Sequence, residues 1–555
     1  MKPNMLCLFD CLLLGLCTVF PLLAAPVEVT DDFSAYEAGA DGGPAWLPQT
    51  DTWVMREGGY VQTDPRPYGT VSYLAEPVVG DFELSVRFRI PTTEGAGVQA
   101  AGIVFRSASA GKEYWAHFDS KSNQLLLQLA KGGGAGSERP QARVPVQISR
   151  DEWHLATVEC QGPRITVSLD GRQVVELQDD TYPAGKVGLR AGQGCVQFRD
   201  FALKGQSAAL PNDWEMIRLT RKYQVICEDA GAGGYEAFPD LVRLQNGELL
   251  CVFYAGYGHV SHPTEALPNG ARVCMVRSAD DGKSWSPAQV VADTPWDDRD
   301  PSICQLSDGT IIVNWFTYYH GGPSVRPGNT VGYKEIWLTR SEDNGQTWSE
   351  PELIPSTANG YWGCSSPIRE LADGTLVLPI YHEYPEPLRN VSYTILSADG
   401  GKTWGGPNVV DPDNDDNDEP DIVVLPDGRL LCLMRANRDG NNMHKSVSED
   451  GGKTWSKAQE VGFRGHAPNL LRTAQGILLV GHRLPNTALH YSLDDGETWS
   501  DTVHVDDTIG AYTSMAQLPD GRVLIVYYEE GAGSSIRAQY LRATPEGIEF
   551  GATDD

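Results

Sequence analysis

At 555 residues the chain is too long for one small domain, and its length alone anticipates two or three. A formal net charge of -30 and a pI near 4.7 surround it with a field that repels nucleic acid and anionic membranes, so neither is expected as a partner. An anionic small molecule meets the same repulsion at long range. Holding one requires arginines gathered in a pocket, which makes the positions of arginines worth tracking.

The first residues, MKPNMLCLFDCLLLGLCTVFPLLAAPVEV, place Lys2 ahead of an apolar stretch that ends in Ala24 and Ala25. This is the layout of a secretory signal peptide over residues 1–25, cleaved near Ala25, and it predicts a secreted or periplasmic protein. Asp10 interrupts the stretch and no later segment has the length and apolarity to cross a bilayer, so no membrane span is expected. Eight cysteines follow, scattered rather than spaced as zinc-binding pairs, and neither a metal nor a cofactor is expected. Cys160 and Cys195 are candidates for a disulfide, whereas Cys251 and Cys432 fall at equivalent places in apolar strands and read as buried thiols.

Residues 27–205 alternate polar and apolar positions in short runs such as FELSVRFRI, AGIVFRS and ITVSLDG, separated by Gly-rich or polar turns. That pattern predicts a β-sandwich. The stretch EWHLATVECQGPRITVSLDGRQVVEL with GKVGLRAG resembles the laminin-G and concanavalin-like jelly-roll modules attached to secreted carbohydrate-active enzymes, and the resemblance implies a carbohydrate-binding or spacer role. Tyr114 and Trp115 are read as sandwich core in preference to sugar-stacking platforms. No paired carboxylates or histidine set nominates a second active site here. A short linker near Lys204 to Asp213 leads to the second domain, 214–555.

Five copies of one phrase mark that domain: SADDGKSWS from Ser278, SEDNGQTWS from Ser341, SADGGKTWG from Ser397, SEDGGKTWS from Ser448 and SLDDGETWS from Ser492. Their spacing, about 45 to 65 residues, is the length of one four-stranded blade and predicts a β-propeller. Each phrase suits a hairpin turn. Asp and Ser bond nearby amides, Gly supplies a positive φ and Trp packs back over the blade, so the role is structural rather than calcium binding. A second repeat, a D-G or N-G turn followed by an apolar run, opens six times, from LVRLQNGELLCVFY to MAQLPDGRVLIVYY, and six openings mean six blades. The fold class is therefore all-β, a jelly-roll sandwich followed by a six-bladed propeller.

Equivalent positions of the innermost strands converge on the axis, where polar departures are informative. Counting back from each turn gives Phe238, Asp300, Ser365, Glu419, Ala467 and Tyr512, preceded by Ala237, Arg299, Cys364, Asp418, His466 and Ala511. Counting forward gives Tyr254, Phe316, Tyr381, Arg435, Arg483 and Tyr528. Asp300, Glu419, Tyr512 and the three arginines Arg299, Arg435 and Arg483 are thus among the residues around one axis.

Here the propeller resembles that of the exo-sialidases. DEPDIVVLPDGRLLCLMR matches the family's blade-four motif with Glu419 and Arg435, and AYTSMAQLPDGRVLIVYYE matches its blade-six motif with Tyr512 and, one residue further on than the family places it, Glu529. The resemblance implies Tyr512 as nucleophile, Glu419 as its proton-accepting partner, Arg435 and Arg483 as part of a carboxylate clamp, and a terminal anionic sugar of a glycan as substrate. Two departures stand beside these matches. Ala237 replaces the blade-one arginine, and the loop GYGHVSHPTEALPNG offers His259, His262 and Glu265 where the family has its acid aspartate. Arg299 and Asp300 of blade two are candidates to supply the missing clamp member and the acid; the alternative is a surface ion pair. The acidic run before Glu419 is read as a solvated loop in preference to a calcium site. A uronate-specific glycosidase or lyase using His259 or His262 with Tyr512, and a non-catalytic sugar-binding protein, remain the competing functions.

Overall fold

A computed structural model describes residues 25–551 except 51, 57–58, 64–69, 93–98, 110–111, 132–139, 193–194, 210–222, 321–330, 359, 386–387, 414–415, 438–441, 485, 507–509 and 530–533. The expected signal peptide up to residue 24 and residues 210–213 of the linker lie outside the described residues. Among those described, no helix is long and apolar enough to cross a membrane.

The N-terminal domain is a sandwich of an eight-stranded and a seven-stranded antiparallel sheet. Its central strand Val79–Arg89 shows why: Phe82, Leu84, Val86 and Phe88 are buried, while the residues between them face outward. The strand Lys112–Asp119 is buried on both sides. Tyr114 stacks on Phe105 in the inter-sheet core, and Trp115 lies under the Arg190 guanidinium, 3.8 Å from its ring centre. Both aromatics are therefore packing residues. Trp115 and Tyr73 each donate a hydrogen bond of 2.8 Å to Glu113, and His117 lies close enough to Arg190 for that charge, after burial, to help push it down to about 3. The sequence reading anticipated no such grouping of charged residues, because its members come from separate strands. All eight described cysteines are free thiols. The expected Cys160–Cys195 disulfide is absent: Cys160 faces the sandwich core and the Cys195 thiol bonds the Thr63 carbonyl.

The second domain is a six-bladed propeller of antiparallel blades. Blade one begins with Tyr235–Arg243, blade two with Asp297–Gln305, blade four with Asn417–Val424, blade five with His466–Arg472 and blade six with Gly510–Gln517. In blade three the inner strand is broken into Trp362–Gly363 and Arg369–Glu370. The ring closes where Gln224–Cys227, from the start of the domain, pairs with Ile536–Thr544 of blade six. Every rim turn repeats one hydrogen-bond set, and each Trp of the phrase packs into the hydrophobic layer between neighbouring blades. Beneath the axial face, Asp240 joins blades six, one and two by accepting from the Ser514 hydroxyl and the Ile303 amide, while Asp421 joins blades three, four and five through Arg369 and the Leu470 amide.

Candidate active site

The axial positions are presented by β-bulges. In five blades the inner ladder shifts register by one residue, between Ala237 and Asp240, Arg299 and Ser302, Asp418 and Asp421, His466 and Asn469, and Ala511 and Ser514. The extra residue turns its side chain out of the pleat toward the axis. Phe238, Asp300, Glu419, Ala467 and Tyr512 occupy those bulges with φ of 53°, 48°, 45°, 51° and 36°, a region L-residues seldom enter. Because Phe238 and Ala467 share the strain, it belongs to the fold; the side chain at each bulge carries the chemistry. Blade three differs in register. Its ladder places Gly363, not Cys364, opposite Tyr381, and the Tyr381 ring lies so close that a Cβ on residue 363 would meet it at 2.3 Å.

Glu419 is the hub of one half of the site. Tyr512 donates its hydroxyl proton in a hydrogen bond to Glu419 Oε1. Arg435 Nη1 lies 3.1 Å and Arg483 Nη2 3.9 Å from the same oxygen, and the Ala467 amide donates to Oε2 at 3.1 Å. The Arg483 guanidinium also lies over the Tyr512 ring, 5.2 Å from its centre. Burial raises the Glu419 carboxyl, but Arg435, Arg483 and the Tyr512 hydrogen bond together outweigh it and hold the group below the usual carboxylate range. Tyr512 moves the opposite way, driven well up by burial and then by Glu419 and Asp300. The resting pair is thus a neutral phenol donating to a carboxylate. His466, pushed down to about 2 by burial and then by Arg435 and Arg483, is a neutral imidazole beside them.

The other half is built around aromatic rings. Arg299 is buried, with Phe238, Tyr254, Phe316 and Tyr318 all within 6 Å of its guanidinium carbon. It donates to the His259 carbonyl and approaches Asp300 at 3.7 Å and Asp297 at 4.0 Å. The Arg299–Asp300 pair is therefore an interior one and not a surface ion pair. Asp300 is raised by burial, with Arg299 opposing and Glu419 reinforcing the shift, and its Oδ1 has no hydrogen-bond partner among the described residues. The exposed His259 ring pairs its Nδ1 with the Tyr235 hydroxyl at 3.0 Å and meets Phe238 edge-on. His262, half-buried, sits three residues on in the same loop, where its carbonyl accepts from the Tyr257 hydroxyl.

Two members escaped the sequence reading. Lys334 is a buried cation on the third strand of blade two, ion-paired to Glu383 of blade three and 4.7 Å from the centre of the Tyr318 ring. Asp297, pushed up to about 7 by burial and opposed by Arg299, accepts from the Tyr254 hydroxyl at 3.0 Å. Neither falls in the registers counted from the turns, so no repeat-based signal pointed to them. Glu529, by contrast, forms an ion pair with Arg537 of its own blade, and the neighbouring Tyr528 takes the axial position.

The description of a BNR repeat-like domain matches residues 273–525. The propeller is a sialidase-like BNR-repeat domain. Among curated proteins, its relatives include a sialidase of Bacteroides fragilis, 27% identical over 359 residues covering 56% of this chain and 64% of that protein. A sialidase of Paraclostridium sordellii is 30% identical over 251 residues, covering 40% and 57%. The chain spans less than two thirds of the length of either. A solved structure of a Dyadobacter fermentans protein of unknown function shares the fold, with a TM-score of 0.51 at 23% identity over 58% of this chain and 98% of that one. The sandwich that precedes the BNR propeller matches a 3-keto-alpha-glucoside-1,2-lyase-like domain over residues 31–204.

Proposed function

We propose that this protein is an exported glycoside hydrolase that releases a terminal anionic sugar from glycans, with the BNR propeller as its catalytic domain and the sandwich as a glycan-holding module. The observation that carries the reading is the single unit in which Tyr512 donates to Glu419 while Arg435 and Arg483 approach the same carboxylate oxygen.

In this reading Tyr512 attacks the anomeric carbon as its proton passes to Glu419, and protonated Asp300 gives its proton to the departing glycosidic oxygen. Water, deprotonated by Asp300, then cleaves the glycosyl–tyrosine bond, and Glu419 returns the proton to Tyr512, so the anomeric configuration is retained. A neutral phenol suits an anionic sugar better than a bare carboxylate nucleophile. Substrate binding also tunes the base. As the sugar carboxylate draws on Arg435 and Arg483, the charges that keep Glu419 acidic are shared, and its affinity for the tyrosine proton rises at the step that needs it. The ring-enclosed Arg299 holds Asp300 in place.

A panel of sialosides and uronic-acid glycans with product analysis tests the reading. Release of free sialic acid or of a free, saturated uronic acid is the expected result. An unsaturated uronate absorbing in the ultraviolet makes the protein a lyase, and binding without turnover makes it a lectin.

A further inference from the structure

The second strands of the six blades all start two residues after the turn glycine but end at different heights. Leu430–Ala436, Leu478–Arg483 and Val523–Glu529 of blades four to six stop at or one residue past their axial positions Arg435, Arg483 and Tyr528. Ile311–His320 and Leu376–Pro385 of blades two and three run four residues past Phe316 and Tyr381. At a strand's rise of ~3.3 Å per residue, these two blades continue for about 13 Å beyond the axial ring, on the side that carries Asp300. They are tied together there: the Lys334 amide donates to the Gly360 carbonyl at 2.9 Å, the Glu383 amide donates to the Tyr361 carbonyl at 3.1 Å, and the Lys334 and Glu383 side chains form an ion pair. Aromatic rings line the raised part. Tyr333 lies 5.8 Å from Tyr361 between ring centres, Tyr361 lies 6.2 Å from His382, and His382 lies 4.5 Å from Trp362 and 4.4 Å from Tyr384. All five are half-buried, whereas Leu378 and Ile380, lower on the strand of His382, are sealed in the layer between blades two and three. Burial pushes the His382 imidazole down to about 4, so none of the five rings is charged at neutral pH. Arg389 lies over the Tyr384 ring, 5.4 Å from its centre, and brings N–H donors to the edge of the row.

Resting on the reading of a glycosidase whose acid is Asp300, we propose that this raised row of rings on blades two and three binds the neutral sugar residues of the leaving chain and makes the protein selective for oligosaccharides over short glycosides. The acid sets the direction. A proton held by Asp300 on blade two reaches the glycosidic oxygen only where that oxygen, and the chain attached to it, lies on the side of blades two and three. A chain of neutral hexoses leaving there meets flat, uncharged rings on which the C–H face of a pyranose packs, while the tyrosine hydroxyls and the Arg389 N–H groups at the edges serve its hydroxyls. The backbone links and the ion pair between the two blades hold the rings in place before the chain arrives, so little ordering opposes binding.

The test measures kcat/KM of the full chain on pairs of substrates that share the anionic sugar and differ in the leaving group: 3′-sialyllactose against the methyl sialoside, and a glucuronyl oligosaccharide against methyl glucuronide. Tyr361→Ala is expected to lower kcat/KM on the oligosaccharide of whichever pair the wild type cleaves by about tenfold, chiefly through KM, and on the methyl glycoside by less than about twofold. Tyr361→Phe, which keeps the ring, stays near the wild type on both. If thermal unfolding shows that Tyr361→Ala is destabilised, Tyr333→Ala takes its place in the comparison. Equal losses on oligosaccharide and methyl glycoside, or no loss on either, overturn the assignment of the rings and leave the glycosidase reading standing, because the wild type's own turnover carries that reading. Cleavage of none of the four compounds by the wild type overturns the glycosidase reading and this proposal with it.

Discussion

The rim of the propeller and its axis obey opposite rules. At the rim, five turns repeat one arrangement: the Ser hydroxyl donates to the Asp at 2.7–2.9 Å, the Gly amide donates to that hydroxyl at 2.8–2.9 Å, and the Asp accepts from the amide of the Ser or Thr four residues on at 2.8–2.9 Å. At the axis one bulge geometry presents Phe238, Asp300, Glu419, Ala467 and Tyr512, five different side chains. Where the backbone and the side chain both repeat, the residues hold the blade. Where the backbone repeats and the side chain does not, the fold is a fixed frame and the departures carry the chemistry. Substitutions at the axis should then change rate without stability, and substitutions at the rim the reverse.

The largest effect is expected at Tyr512. Tyr512→Phe removes the nucleophilic oxygen and leaves the ring against Phe238 and Tyr528, whose ring centres lie 5.0 and 6.3 Å away. Turnover on a confirmed substrate should fall by about three orders of magnitude or more, with ligand affinity and melting temperature near those of the wild type. Turnover close to the wild type's would break the comparison at its strongest point.

Repetition also explains how much of the molecule can be read before it is seen. Six blades, their openings and the rim turns are legible because one pattern recurs with one period. Glu419, Tyr512, Arg435 and Arg483 are legible because they interrupt a counted register, and the structure brings all four together. The register fails in blade three, where two extra residues instead of one separate the two parts of the inner strand, so that Gly363 takes the place assigned to Cys364. Lys334 and Asp297 are silent in the sequence for another reason: they reach the site from outside the counted positions, and their partners Glu383 and Tyr254 come from other strands. The lost Cys160–Cys195 pair shows the same limit, since nearness along the chain does not report which face of a strand each cysteine occupies.

A smaller effect sharpens the division within the axis. Asp300 is raised by burial, so its protonated form persists to higher pH than an ordinary aspartate's, and an acid role requires that form. Activity should therefore fall as pH rises through the raised pKa. Asp300→Asn should lower turnover by about 10² on a natural glycoside and abolish that alkaline limb. On an aryl glycoside, whose leaving group needs no proton, the loss should be far smaller. Equal losses on both substrates would remove Asp300 from the chemistry and leave it as the counter-charge of Arg299.

The smallest effect belongs to the rim. Ser448 is buried, and its hydroxyl accepts from the Gly452 amide at 2.9 Å while donating to Asp450 at 2.9 Å. Ser448→Ala leaves that buried amide without its acceptor, which should lower unfolding free energy by about 1–3 kcal/mol in denaturant titration. Asp450 still accepts from the Thr454 amide and hydroxyl, so the turn stays closed and the loss stays at the scale of one bond. Turnover per folded molecule should not change, because this turn and the Glu419–Tyr512 pair lie on opposite sides of the division between rim and axis. A loss of rate larger than the loss of folded protein would mean that rim and axis are coupled, and that the repeated turns do more than hold the blades.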